Sequence, residues 1–252
     1  MEYQPSLDSI QKLSTFAAHL GLSLAPHQLE QFARYAALIQ AWNKKFNLTA
    51  IVEEEAIFSL HFADSLTVAP LLVQERMRFS EPPTLMDIGT GAGLPGIPLK
   101  IALPEWHVWL VDSTAKKVQF CKTAIEALGL HDTHALHARA EELARRPEHR
   151  EQYHVVVARA VAPLPTLVEY LLPLTRLGGV CIAMKGRQAQ EEVEAAQRAI
   201  EVLGGVLEQL QPVALPERDD RRALVIIRKQ RATPEAYPRL GSAPRNRPIG
   251  SR

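Results

Sequence analysis

Apolar positions in the first third of the chain recur at helical spacing. Ile10, Leu13, Phe16, Ala17 and Leu20 form one stripe, behind a capping Ser6 and ahead of Gly21. Leu29, Phe32, Ala33, Ala36, Leu38 and Ile39 form a second, opened by Pro26. Residues 57–72 give a third, which carries His61-Phe62-Ala63-Asp64-Ser65. Between the last two runs Trp42-Asn43-Lys44-Lys45-Phe46-Asn47-Leu48-Thr49, with two asparagines and a threonine, favours a turn. Residues 1–80 are therefore expected to form a helical cap, and Glu81-Pro82-Pro83 marks its boundary.

From residue 84 the pattern changes. Short apolar runs at 84–88, 106–112, 134–138, 153–159 and 179–184 alternate with helix-compatible stretches at 95–102, 115–128, 164–174 and 188–203. Such alternation predicts a parallel sheet covered by helices on both faces. Runs at 206–210 and 223–228 have no long helix between them and suit an antiparallel hairpin at the sheet edge. The expectation is an α/β domain over 81–230 with a mostly parallel, seven-stranded sheet. No internal repeat is found.

Composition narrows the class without choosing a partner. The chain has 252 residues, enough for one large domain or a domain with a small accessory part, and a formal net charge of +1. Its two cysteines, Cys121 and Cys181, sit in no pairing motif and read as core residues of a protein in a reducing compartment. Glu2 and the lack of a charged-then-apolar leader argue against a signal peptide. No uninterrupted apolar run reaches bilayer-spanning length. A soluble, cytoplasmic, monomeric protein without membrane contact is expected. The end of the chain differs: Arg228, Lys229, Arg231, Arg239, Arg245, Arg247 and Arg252 stand against one acid, Glu235. Prolines 234, 238, 244 and 248 and two glycines are expected to keep 231–252 irregular. Such a tail is either a nucleic-acid contact or a solubilising extension.

The candidate chemistry begins at Leu85–Pro98. An apolar strand ends at Ile88, and Gly89, Gly91 and Gly93 follow at every second position before a helix-compatible run. A strand, a glycine turn and a helix N-terminus together make a nucleotide-cofactor cradle. Asp87 stands at the strand end, where a carboxylate meets ligand amines or hydroxyls. The dinucleotide fingerprint requires a third glycine where Leu94 stands, and no phosphate-loop lysine follows. Asp112 closes the second apolar strand, where an acid binds ribose hydroxyls. An adenosine without a pyrophosphate, as in S-adenosylmethionine, fits this pattern best.

Other residues stand at strand ends. Ala140 and Glu141 follow the third strand, where Glu141 either reaches an adenine or starts a helix. Arg159 ends the fourth strand. It needs a partner, which is a cofactor carboxylate, a guanine edge, an RNA phosphate or a structural acid. Lys185 ends the fifth and either steers RNA or snorkels. The lysines and aromatics of 42–49 touch RNA or pack on the main domain. His131, His134 and His137 recur every third residue, a spacing that does not converge on a metal. No Ser-His-Asp arrangement has motif context.

Several of these stretches occur together: Trp42–Thr49, His61 with Asp64-Ser65, Asp87–Pro98, Asp112-Ser113, Arg139–Glu142, Ala158–Ala160, Lys185-Gly186 and Thr233-Pro234 with Tyr237-Pro238-Arg239. The set resembles the bacterial ribosomal RNA small subunit methyltransferase G family, formerly called glucose-inhibited division protein B, from about residue 20 onward. The resemblance implies a class I, Rossmann-like, S-adenosylmethionine-dependent methyltransferase. It implies methylation of N7 of a guanine (position 527, in the 530 loop) of 16S ribosomal RNA, with that RNA or the small ribosomal subunit as partner and no metal. By position, Gly89 and Leu94 would line the methionine end of the cofactor. Asp112, Ser113 and Thr114 would hold the ribose, Ala140 and Glu141 the adenine, and Arg159 the crevice. Lys185, Arg239, Arg245 and Arg247 are the candidate RNA contacts. N7 carries no proton, so no catalytic base is expected, and Arg159 and Lys185 are candidate positioning residues. Three alternatives stand beside this reading: a small-molecule or protein methyltransferase, a nicotinamide-dependent dehydrogenase, and a non-catalytic RNA-binding protein of the same fold.

Overall fold

A computed structural model describes residues 5–215 and 221–250 of the chain. Helix α1 (Leu7–His19) starts where the Ser6 side chain accepts a hydrogen bond from Ser9 N. It ends before Gly21, whose φ of +78° only glycine adopts readily. Helix α2 (Pro26–Asn43) buries the predicted stripe Phe32, Ala36 and Ile39 together with Tyr35. The turn at 43–49 forms as expected, with Asn43 Oδ1 accepting from Leu48 N and Thr49 N.

The third helical stretch is longer than the expected 57–72. It runs through α3 (Glu54–Ala56), a π-helical segment (Ile57–Ala63), α4 (Asp64–Leu66) and α5 (Ala69–Arg76). No uninterrupted apolar run of bilayer-spanning length is expected, and this helix reaches the length and composition of a span only with His61 and Asp64 inside it. The helix Glu54–Arg76 is long and apolar enough by length and composition, but 67% of its apolar window is buried within the fold. His61 and Asp64 interrupt its apolar sequence without interrupting the helix.

Strands β1 (Thr84–Ile88), β2 (His107–Asp112), β3 (Thr133–His137), β4 (Tyr153–Arg159), β5 (Thr175–Lys185), β6 (Gly205–Val213) and β7 (Arg222–Lys229) form one sheet in the order β3-β2-β1-β4-β5-β7-β6. The first five are parallel, while β7 runs antiparallel to both β5 and β6. The hairpin of the last two strands is as expected, with its first strand outermost. Helices α6 (Gly96–Ala102), α7 (Ala115–Leu128), α8 (Ala140–Leu143), α9 (Leu164–Leu171) and α10 (Ala189–Val202) fill the connections. Helix α9 stops short of the expected 174 because β5 begins at Thr175.

Both sheet faces are buried, as parallel sheets require. Leu85, Val155, Val157 and Ile182 point into the core shared with the N-terminal helices. Met86, Val156, Ala158, Cys181 and Ala183 point into the opposite core under α9 and α10. Both cysteines are buried, Cys181 in this second core and Cys121, on α7, in the first, as the sequence reading expects. Register aligns Ile88 with Val111 and Ala158, and Arg159 with Met184, so these strand ends open on one edge. Order reverses between β1 and β4, and ligand crevices lie at such switch points.

The segment after β7 corrects the expectation of irregular chain. Residues Ala243–Asn246 form a short helix, α11, with Pro244 in its first turn, where an amide N–H is not needed. Arg150 donates to Thr233 O and Tyr237 O, and Arg145 to Pro238 O. These bonds hold the segment against the body. Arg252 lies outside the described residues.

Candidate functional site

The glycine turn is pinned from below and from the side. Gly89 N and Thr90 N donate to Val111 O at 2.8 and 3.0 Å, tying the turn to β2. Thr90 Oγ1 and Gly96 N both donate to Asp87 Oδ2, at 2.6 and 2.9 Å. Asp87 is wholly buried, its other oxygen has no hydrogen-bond partner, and burial raises its pKa to about 6. Asp87 thus braces the turn through its Oδ2. Gly93 and Leu94 also pack inward, Leu94 in the core and Gly93 against Tyr35 and Ile97. Gly89 (φ +68°) is the close-approach position: a Cβ there would lie 2.5 Å from Val161 Cγ2. Gly91 (φ +59°) has open space around it, with no heavy atom nearer than 3.9 Å to such a Cβ.

Beside the turn lies a cavity of about 420 Å³. Gly89, Asp112, Ser113, Ala140 and Glu141, expected from sequence, line it together. Asp112 is fixed by two backbone donors, Gly91 N (3.0 Å) and Thr114 N (2.8 Å), one to each carboxylate oxygen. Thr114 itself caps α7 with its backbone outside the helix. Glu141 is buried at the start of α8, 3.8 Å from Arg139. Ile88, Val111, Ala138 and Val161 supply apolar wall. Two buried carboxylates above an apolar floor suit ribose hydroxyls and an exocyclic amine. The cationic lining residues Arg139 and Arg245 stand against Glu141 and Asp112, which leaves no surplus charge for a pyrophosphate. The residues present therefore fit the adenosine of S-adenosylmethionine.

A second cavity, of about 370 Å³, shares Val161 with the first. Arg159 and Lys185 stand here, not in the first cavity. Arg159 donates to Asp64 Oδ2 (2.9 Å) and Leu60 O (3.0 Å), and Arg222 donates to Asp64 Oδ1 (3.0 Å). Arg159 Nη2 also lies 3.3 Å from His61 Nδ1. Burial, then the Arg159 charge, lowers the His61 pKa to about 4. His61 is therefore neutral, accepting at Nδ1 and donating from Nε2 to Thr49 Oγ1 at 3.0 Å. Lys185 donates to Ala162 O and Glu192 Oε2, both at 2.7 Å. Between them Ala160 takes a φ of +54°, an uncommon value for alanine that marks a constrained rim.

Sequence reasoning missed Asp64 as the partner of Arg159, and Val161 and Tyr170 as lining residues. The His61–Asp64 spacing, one helical turn, was the available signal for the first. Of the expected RNA contacts, Arg239 binds the wholly buried Glu169 through its backbone N (2.7 Å), Nε (2.9 Å) and Nη2 (2.7 Å). Arg245 and Arg247 are both exposed, and Arg245 lines the first cavity. The described residues contain no cluster of three or more His, Cys, Asp or Glu fit for a metal ion.

Comparison with known proteins agrees with this geometry. The [4+2]-cyclase SpnF, at 16% identity, superposes with a TM-score of 0.51 over 67% of this chain and 81% of its own, which bears on the fold alone. Ribosomal RNA small subunit methyltransferase G of Roseiflexus sp. (strain RS-1) is 49% identical over 91% of this chain and 95% of that protein. Those of Halalkalibacterium halodurans and Acetivibrio thermocellus are 46% and 43% identical, over 91% and 92% of this chain and 94% and 93% of their own lengths. The family model described as rRNA small subunit methyltransferase G matches residues 28–221. A class I methyltransferase sheet, two cavities meeting at one side chain and relatives matched over nearly their whole length agree: this chain belongs to the rRNA small subunit methyltransferase G family.

Proposed function

We propose that the protein transfers a methyl group from S-adenosylmethionine to N7 of a guanine in 16S ribosomal RNA. The observation that carries the reading is the pair of cavities separated by Val161: one with carboxylates for an adenosine, the other with cations for a nucleotide. The names of the relatives supply the RNA class.

When bound, S-adenosylmethionine supplies an electrophilic methyl group on a sulfonium. Guanine N7 is a lone-pair acceptor on the major-groove edge and has no proton to lose. The protein needs no base and acts by holding the two partners in line. Asp112, Ser113 and Glu141 hold the adenosine. Lys185, with two of its three N–H groups used by Ala162 and Glu192, keeps one donor for the nucleotide. Arg159, held by Asp64 and Leu60, keeps a cation at the rim of the same cavity. An unstacked loop base reaches such a site, whereas one inside a duplex does not.

The test is transfer of labelled methyl to 16S rRNA from cells lacking the protein, with the nucleoside identified. Label in 7-methylguanosine at one site is expected. Cofactor binding with no label in the rRNA would overturn the substrate assignment.

A further inference from the structure

The segment after β7 builds part of the first cavity. Gly241, Ser242 and Arg245 line it together with Asp112, Ser113 and Glu141. The segment is fastened before that stretch and within it. Before it, Arg239 grips the buried Glu169 with three hydrogen bonds. Within it, Pro244, itself buried, accepts a hydrogen bond from Thr166 Oγ1 of α9 at 3.1 Å. Arg245, Tyr170 and Glu141 line the cavity side by side; burial raises the Tyr170 pKa, with the Glu141 carboxylate adding to the rise and the Arg245 guanidinium opposing it. Three groups from three parts of the chain thus meet at the end of the cavity that the sequence assigns to the adenine.

We propose that Gly241–Arg245 is a wall of the adenosine site and that Arg245 is a cofactor-binding residue, its guanidinium laid against the purine. This rests on the reading of the first cavity as the S-adenosylmethionine site. The chemistry suits the position. A guanidinium is planar, weakly hydrated and stacks on aromatic faces, which an ammonium does not do. Glu141 offsets its charge, so the site still accepts a ligand whose sulfonium is cationic. The basic composition of this segment, read alone, points to a nucleic-acid backbone; in the fold, Arg239 is spent on Glu169, and of the exposed Arg245 and Arg247 only Arg245 lines the cavity.

The test uses the full chain, with S-adenosylhomocysteine and adenosine as probes in calorimetric titrations. Arg245→Ala should weaken both by about tenfold, since the contact is to the part they share. Arg245→Lys should not restore binding, and Arg247→Ala should stay within about twofold of the wild type. Wild-type binding of S-adenosylhomocysteine with Arg245→Ala unchanged would overturn the assignment and return Arg245 to the RNA. A wild type that binds neither probe overturns the cofactor reading itself, and this inference with it. If Arg245→Ala does not fold, amide exchange decides: S-adenosylhomocysteine should slow exchange at residues 241–247 of the wild type, and unchanged exchange there would overturn the proposal.

Discussion

Gly89→Ala probes the point where the two cavities meet. The substitution adds one methyl group at a φ of +68°, with its centre 2.5 Å from Val161 Cγ2. Left-handed backbone costs an alanine about 1–2 kcal/mol. Carbon atoms pack at roughly 3.5–4.0 Å, so Val161 must retreat by about 1 Å. Overpacking of that kind costs about 1–3 kcal/mol, for a total of about 2–5 kcal/mol. The two parts separate experimentally. The three nearest atoms to the new methyl are Val161 Cγ2, Cγ1 and Cβ, and the Cβ is already at 3.6 Å, an ordinary contact. Val161→Ala therefore removes the clash and leaves the backbone strain. Equilibrium urea unfolding of the two single variants and the double variant should show a favourable coupling of about 1–3 kcal/mol. Binding of S-adenosylhomocysteine, weakened in Gly89→Ala, should recover in part in the double variant. Strictly additive losses, within about 0.5 kcal/mol, would refute the argument that Val161 is the obstacle.

Three further outcomes follow from the second cavity. Asp64→Asn should cost about 2–4 kcal/mol in urea unfolding, because two guanidiniums, 16% and 29% exposed, lose their shared carboxylate; a loss under about 0.5 kcal/mol would contradict it. His61 has a pKa of about 4 in the fold against 6.5 when unfolded, so the unfolded chain gains a proton first as pH falls. Stability should be flat above pH about 7 and drop by about 2–3 kcal/mol by pH about 4.5, and His61→Gln should remove that component of the pH profile. Lys185→Met should leave S-adenosylhomocysteine affinity within about twofold and slow transfer to rRNA by about tenfold or more, the worth of a charge-assisted hydrogen bond; equal effects on both would place Lys185 in the cofactor site.

Much of the fold is written locally. Ser6 and Gly21 bound α1 because a hydroxyl satisfies a free N–H and only glycine turns left at low cost. Alternation of short apolar runs with helical ones sets a parallel sheet, since a right-handed crossover is the short way back to the same edge. The glycine turn and Asp112 are legible for the same reason: strand, turn and helix are contiguous, and the steric demand on each residue comes from its neighbours.

What the chain alone leaves open is which distant groups meet. Nothing near Arg159 in sequence names Asp64, 95 positions away, as its partner. Asp87 reads as a strand-end acid, and only packing shows it wholly buried and bonded to Gly96 N, nine residues on. The last segment reads as a basic tail, yet Glu169 and Thr166, about 70 and 78 positions back, fold Arg239 and Pro244 onto α9 and bring Arg245 to the cavity. Backbone sterics and periodicity act over a few residues, so the sequence determines the elements. Burial and charge pairing act through space, and only the packed sheet decides which ends of those elements share a site.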